Sequence, residues 1–327
     1  MNSRLKELLA NGEEVTDPEE EAFLLFSQDI PPGNLGFLEP RAPTVDVTIR
    51  GAEYTVHQSP TLLSSSRAGG TTGAVLWKIT PFFADWISSP SNPLWTHSFL
   101  SSDSVVAELG CGISALVALA LAPSVDHYLA TDQEYVRRLF RTNLEENASV
   151  NSSTTLSTKQ KGTKSRGAKP AKKHSSSANN EPRNVTFTTL DWELDQPELL
   201  KGCIGTESGG HEAEDDTEED KGFDLILSCD CIYNDALVTP FVRTCAEICR
   251  LRPVYEPSDE SESPPPTRQP TICIVAQQQR APDVFEAWLR ETLREFRVFR
   301  LSDDVLVEGL KNGSGYLVHL LLAREKH

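Results

Sequence analysis

Apolar runs and helix-compatible stretches alternate along this chain in a repeating order. Val105-Val106-Ala107 leads through Glu108 and Leu109 into Gly110-Cys111-Gly112, and a helix-compatible segment from Ala115 to Leu121 follows at once. Tyr128-Leu129-Ala130-Thr131 closes on Asp132. Val185 to Leu190 alternates with the period of a strand and ends at Asp191-Trp192-Glu193. A fourth run, Phe223 to Ser228, stops at Cys229-Asp230-Cys231-Ile232-Tyr233. A fifth, Thr271 to Ala276, follows a helical pattern from Leu237 to Leu251. Phe296 to Leu301 and Tyr316 to Leu322 supply two more strands, the last read as antiparallel. Strands separated by helices, with polar residues gathered at strand C-termini, predict a doubly wound, Rossmann-like α/β sheet of seven strands. Its site is expected along that edge. Ahead of this pattern, Val45 to Val56 alternates on both sides of Arg50-Gly51 and predicts an added N-terminal β-hairpin.

The pattern breaks in three places, at 148–182, 203–221 and 255–270. These stretches are respectively rich in Ser, Thr, Asn and Lys, strongly acidic, and rich in Ser, Glu and Pro. Each has too little apolar content to pack and is expected to be a disordered insert. The lysines of the first insert are read as a solvated loop in preference to a nuclear-localisation or RNA-contacting patch. Residues 1–43 are expected to form a helical or irregular segment, and 44–327 a single domain interrupted by these inserts.

The glycine turn carries the chemistry. Gly110 and Gly112 allow backbone conformations closed to other residues and a close approach to a ligand. The helix after them points free N–H groups at the same place. A dinucleotide fingerprint would read G-x-G-x-x-G, but Ala115 occupies the third glycine position. Asp132 at the next strand end can hold the two hydroxyls of a ribose, in NAD and in S-adenosylmethionine alike. Glu108 before the glycines repels a pyrophosphate and attracts a sulfonium or an ammonium. The loop therefore favours a cationic cofactor.

With Glu108-Leu109-Gly110-Cys111-Gly112, Asp132, Asp191-Trp192 and Asp230-Cys231-Ile232-Tyr233 in this order, the chain resembles the seven-strand S-adenosylmethionine-dependent protein-lysine methyltransferases. Within them it is most similar to the D-x-x-Y branch, and there to the fungal enzymes acting on ribosomal lysines. Thr72-Gly73-Ala74-Val75-Leu76-Trp77 matches that branch's T-G-x-x-x-W lead-in. The resemblance runs from about Val45 to the C-terminus, the inserts excepted, and implies S-adenosyl-L-methionine as cofactor. It implies that Glu108, Gly110, Cys111 and Gly112 lie under the methionine moiety, with Trp77 against it or closing the pocket. Asp132 would hold the ribose, Asp191 and Trp192 frame the adenine, and Ser228 offer backbone near the transferring methyl. Asp230 and Tyr233 would face the incoming lysine as the catalytic pair. The alternatives are ordinary core positions for Trp77 and Trp192, and a helix N-cap role for Asp230.

The remaining composition fits an enzyme with a basic partner. A formal net charge of −17 argues against general nucleic-acid binding and suits a lysine-rich protein substrate, here a ribosomal protein. No stretch approaches the roughly 20 apolar residues of a membrane span, and no signal-peptide core follows Met1. A cytoplasmic location, with some nuclear presence, and a monomer are expected. The seven cysteines show no zinc spacing, and Cys245 and Cys249 read as small buried hydrophobes. The N-x-[ST] matches at Asn147, Asn151, Asn184 and Asn312 are read as chance. Three rival readings stand beside this one: a same-fold methyltransferase on RNA or another nucleophile, a dehydrogenase, and a non-catalytic scaffold. Cys231 and Ile232 stand where the first would carry prolines. Ala115 and Glu108 disfavour the second.

Overall fold

The computed structural model describes residues 3–30, 36–65, 70–148, 182–204, 220–254 and 268–326. Its centre is an eight-stranded sheet of β1 (Gly12–Val15), β4 (Val105–Leu109), β5 (His127–Asp132), β6 (Val185–Thr189), β7 (Leu225–Cys229), β8 (Ile272–Gln278), β9 (Phe296–Leu301) and β10 (Tyr316–Ala323), in the order β1-β9-β10-β8-β7-β4-β5-β6. Strands β8, β7, β4, β5 and β6 run parallel, and β10 is antiparallel to both β8 and β9. Strands β4, β5, β7 and β8 are buried on both faces, as continuous apolar runs should be, while the edge strand β6 alternates. One face is covered by α4 (Ile79–Ile87), α6 (Leu116–Leu121) and α7 (Glu134–Asn147), the other by α2 (Pro18–Phe26), α8 (Asp235–Cys249) and α9 (Pro282–Glu295).

Seven of the eight strands are the expected ones, and the eighth comes from the N-terminal segment. There β1 lies between α1 (Ser3–Leu9) and α2 and pairs antiparallel with β9. The short run Gly12-Glu13-Glu14-Val15 has no apolar alternation to announce it. It is held instead by edge pairing and by ion pairs, Arg297 bidentate on Glu14 at 2.8 Å and Arg300 on Glu13 at 2.8 Å.

The N-terminal hairpin consists of β2 (Thr44–Ile49) and β3 (Ala52–His57), joined by Arg50 and Gly51 at φ +51° and +79°. A two-residue turn with both φ positive matches the natural twist of the strands. Two asparagines one helical turn apart on α7 dock it. Asn147 accepts from Thr55 N at 3.0 Å and donates to Thr55 O at 2.9 Å, while Asn143 does the same for His57 at 2.7 and 3.0 Å. Asn147 is buried by this contact.

The connections that enter β6, β7 and β8 include residues 149–181, 205–219 and 255–267, which lie outside the described residues. The expected disordered inserts fall on these stretches. All three connections lead into the N-terminal ends of parallel strands. The flanks of the second and third are tied together by Arg252, which pairs with Asp220 at 2.7 Å and Asp224 at 2.6 Å, with Lys201 and Arg268 also on Asp220. Arg252 is the main cause holding Asp220 well below the usual carboxylate range against its partial burial. Cys245, Cys249 and Cys273 are buried between α8 and β8.

One core residue sets an acid limit on stability. His319 in β10 is fully buried beside Trp288 at 5.2 Å and Phe285 at 5.9 Å, with no hydrogen-bond partner for either ring nitrogen among the described residues. Burial pushes its pKa down to about 3, helped by the charge of Arg300. The imidazole is therefore neutral in the fold and titrates near 6.5 once unfolded. Its contribution is complete above pH 6.5 and is lost as pH falls toward 3, by about 2 kcal/mol between pH 7 and pH 5. Urea unfolding at both pH values should show this loss in the wild type and lack it in His319→Leu. An equal loss in the variant would assign the effect elsewhere.

Candidate active site

The C-terminal ends of β4, β5, β6 and β7 meet at a cavity of about 250 Å³. Its floor is the turn after β4, where the end of the strand ladder passes into loop contacts. Gly110 N and Cys111 N both donate to Thr131 O, at 2.9 and 3.1 Å. Gly110 has φ +70°, and a Cβ there would stand 2.4 Å from the Cys231 sulfur, so only glycine fits. Gly112, at φ +61°, donates its N–H to Asp132 Oδ2 at 2.8 Å. Ile113 N reaches across to Gly73 O at 3.0 Å, joining this turn to the segment that begins the cavity's far wall.

Two carboxylates lie beside the turn. Glu108 is buried, and Tyr128 donates its hydroxyl to Oε2 at 2.8 Å. Burial, and after it the nearby charge of Asp132, push Glu108 up to about 7 against that hydrogen bond. Asp132 is pushed by burial to about 6, opposed by the N–H groups of Gly112 and Gln133. Each of its oxygens accepts one N–H and keeps a lone pair for a hydroxyl donor. Next to them Leu190 and Trp192 form an apolar wall. The Trp192 indole is edge-on to Phe241 at 5.1 Å, and its carbonyl is held by Arg243 at 2.6 Å. Asp191 is exposed at the rim and accepts from Glu193 N at 2.9 Å.

The opposite end of the cavity is built from the loop after β7. Asp230 has φ +60°, a left-handed conformation that costs an aspartate about 1–2 kcal/mol and persists only under surrounding constraint. The constraints are Asp230 N on Ala276 O at 2.7 Å, Gln278 N on its Oδ1 at 3.2 Å, and Arg280 on its Oδ2 at 2.6 Å. The carboxylate is 1% exposed, and burial raises its pKa against the pull of Arg280. It does not cap a helix: Asn234 caps α8 by accepting from Ala236 N. Trp77 faces the same end, its Nε1 on Thr72 O at 3.2 Å and its ring packed on Phe37 with centroids 4.3 Å apart. Tyr233, Thr80, Cys229 and Cys231 complete this part of the lining. Burial raises the thiols of Cys111, Cys229 and Cys231, which keeps them protonated.

The structure therefore brings Trp77, Glu108, Gly110, Cys111, Gly112, Asp132, Asp191, Trp192, Asp230 and Tyr233 onto one cavity. Ser228 is not on its lining; it is fully buried within β7, in register with Leu109 and Val275. Thr72, Gly73, Thr80, Gln133 and Tyr135 line the cavity without having been assigned a role from the sequence. Arg280 was also missed. Its signal was the polar run Gln277-Gln278-Gln279-Arg280 closing the fifth strand at the site edge.

The residues fit S-adenosylmethionine on chemical grounds. A glycine-only cradle, a buried Glu108 and a half-buried Asp132 without a cationic partner among the described residues, and an aromatic wall meet in one space, with Asp132 able to take ribose hydroxyls. Among the described residues no group of three or more His, Cys, Asp or Glu could hold a metal, and no helix is long and apolar enough to cross a membrane.

No family model matches the chain. Over 257 residues it is 30% identical to ribosomal lysine N-methyltransferase 5 of Zygosaccharomyces rouxii, covering 75% of this chain and 72% of that protein. Proteins of the same name from other yeasts match at 24% to 28%. A 134-residue stretch is 34% identical to part of a diaminohydroxyphosphoribosylamino-pyrimidine deaminase of Schizosaccharomyces pombe, covering 41% of this chain and 32% of that protein. Among solved structures, the N-methyltransferase NodS from Bradyrhizobium japonicum overlaps with a TM-score of 0.33 at 11% identity, covering 72% of this chain and 89% of that one. An overlap of that size is too small to carry a functional conclusion.

The two raised carboxylates make a pH test of the cavity. A cation seated against Glu108 and hydroxyl donors on Asp132 favour the ionised forms, so binding must expel protons wherever the free protein holds them. S-adenosylmethionine affinity should be constant above pH 8 and fall roughly tenfold by pH 6. S-adenosylhomocysteine, which lacks the sulfonium charge, should fall less. Calorimetric titrations of both ligands at pH 8, 7 and 6 check this. Equal and flat affinities would remove the two carboxylates from the cofactor's seat.

Proposed function

Because this chain belongs to the ribosomal lysine N-methyltransferase 5 family, we propose that it methylates a lysine side chain of a large-subunit ribosomal protein with S-adenosylmethionine. The observation that carries the reading is the layout of the cavity. A glycine turn with free carboxylates lies at one end, and the buried acid Asp230 with Tyr233 lies at the other. When bound, S-adenosylmethionine supplies a methyl group on a positively charged sulfur. The turn at Gly110–Gly112 and Glu108 would hold its methionine part, Asp132 its ribose, and Trp192 with Leu190 its adenine.

The work left to the chain is to deliver a lysine nitrogen in line and unprotonated. A free lysine has a pKa of about 10.4 and arrives as an ammonium. Asp230 accepts a hydrogen bond from that nitrogen and fixes its direction. Tyr233 and Trp77 wall off water, and desolvation of the ammonium favours loss of its proton. Positioning of this kind accounts for most of the acceleration expected from such a site.

The substrate class follows from family and charge together. A chain of net charge −17 attracts a basic protein and speeds encounter with it. A ribosomal substrate in turn supports a cytoplasmic and partly nuclear location.

Methyl transfer from tritiated S-adenosylmethionine to an extract lacking this activity tests the reading, with wild type beside Asp230→Asn. Asparagine tolerates the left-handed backbone and leaves the shape of the site unchanged. The expected result is one labelled ribosomal protein with the label on lysine. In the variant, turnover should drop at least ~100-fold while cofactor affinity stays within about threefold. Label in RNA, or full turnover by Asp230→Asn, would overturn the assignment.

A further inference from the structure

The loop after β8 contributes a residue that none of the functional motifs includes. Arg280 donates to Asp230 Oδ2 at 2.6 Å and to Gln278 Oε1 at 2.8 Å, and its guanidinium carbon stands 4.8 Å from the centre of the Trp77 ring. One cation thus fixes both the acid and the aromatic wall at the lysine end of the cavity. It does so from behind, since Arg280 is not among the residues that line the cavity.

We propose that Arg280 is the positioning residue that lets Asp230 guide a lysine amine without trapping it as an ammonium. This rests on the lysine-methyltransferase reading above. An uncompensated buried carboxylate beside a lysine stabilises the protonated amine and raises its pKa, which suppresses the nucleophile. With the guanidinium attached to Oδ2, the pair carries no net charge. Asp230 keeps a lone pair to orient the nitrogen while adding little to its affinity for the proton. The cation–π contact with Trp77 holds the indole face in place by the same group.

The charges around Asp230 make Arg280 the deciding one. Cys229 comes from β7, Cys231 and Tyr233 from the loop itself, Tyr316 from β10, Glu108 from β4 and Asp132 from β5. All of these are neutral or negative in their ionised forms, and burial keeps the two thiols protonated. Burial likewise raises Tyr316 to about 12, with Asp230 adding to the effect. Removing Arg280 therefore leaves the lysine facing, among the described residues that line the cavity, protein charges that are all negative.

The test is the pH profile of single-turnover methyl transfer for wild type, Arg280→Gln and Arg280→Lys, with thermal unfolding and cofactor affinity measured on each. Arg280→Gln should move the midpoint of the rising limb at least about one pH unit to the alkaline side, with roughly tenfold less rate at pH 7. Cofactor affinity should remain within about twofold. Arg280→Lys restores the charge and should bring the midpoint back to within a few tenths of a unit of wild type. A glutamine variant slowed by the same factor at every pH, or a lysine variant shifted as far as the glutamine one, would reduce Arg280 to a structural part and overturn the proposal. Should Arg280→Gln not fold, the lysine variant alone decides by its midpoint. Failure of the underlying reading is distinct from these results, because the wild type would then put no label on lysine.

Discussion

At the edge where a parallel sheet stops, backbone groups that have lost their strand partner still have to be paired, because the loops above them are buried. In this protein the neighbouring strand end meets that demand. Thr131 O takes Gly110 N and Cys111 N, Asp132 O takes Leu190 N, and Ala276 O takes Asp230 N. Asp132 extends the scheme with its side chain, which takes Gly112 N and Gln133 N. Each loop of the site is thus fixed by the strand beside it, and polar side-chain atoms are left over to face the cavity. The conformations this imposes are the left-handed ones at Gly110, Gly112, Ala115 and Asp230.

The carboxylates left facing inward are compensated unequally along the cavity. At the glycine end Glu108 has a neutral phenol and Asp132 has two N–H groups. Burial therefore raises both, and neither has a cation of its own. At the other end Asp230 has Arg280. The first arrangement seeks a positive ligand; the second is neutralised and can orient an amine without holding its proton. Because the interior is a poor screen for charge, this difference across one small space outweighs anything the distant surface contributes. The N-terminal hairpin is coupled to the same frame. Asn143 donates both to His57 O in the hairpin and to Ile113 O after the glycine turn, and Gln58 accepts from Leu76 N next to Trp77.

The strand ends and their acids were legible in the sequence because they combine two strong signals, an apolar run and an abrupt polar stop. Seven strands, the hairpin turn at Arg50-Gly51 and the antiparallel β10 follow from such patterns. What escaped was held by contacts distant in sequence. Strand β1 exists through Arg297 and Arg300 more than 270 residues away. Asn147, which in sequence resembled a chance glycosylation motif, is a docking residue for Thr55. Arg280 lies fifty residues from the aspartate it serves. Ser228 belongs to the right strand, but the alternation of the pleat buries it in the sheet.

The missing third glycine also deserves a different weight once the backbone is known. Ala115 has φ +56°, so the chain adopts at that position the conformation a glycine would supply, and absorbs the strain of doing so. Charge separates a dinucleotide from S-adenosylmethionine. A pyrophosphate would bring two negative groups toward Glu108, which burial already raises to about 7. It would either be repelled or force that acid to bind a proton. A ligand carrying a sulfonium and an ammonium reverses the sign at that carboxylate. The electrostatics of Glu108, more than the glycine count, therefore disfavour a dinucleotide and favour S-adenosylmethionine.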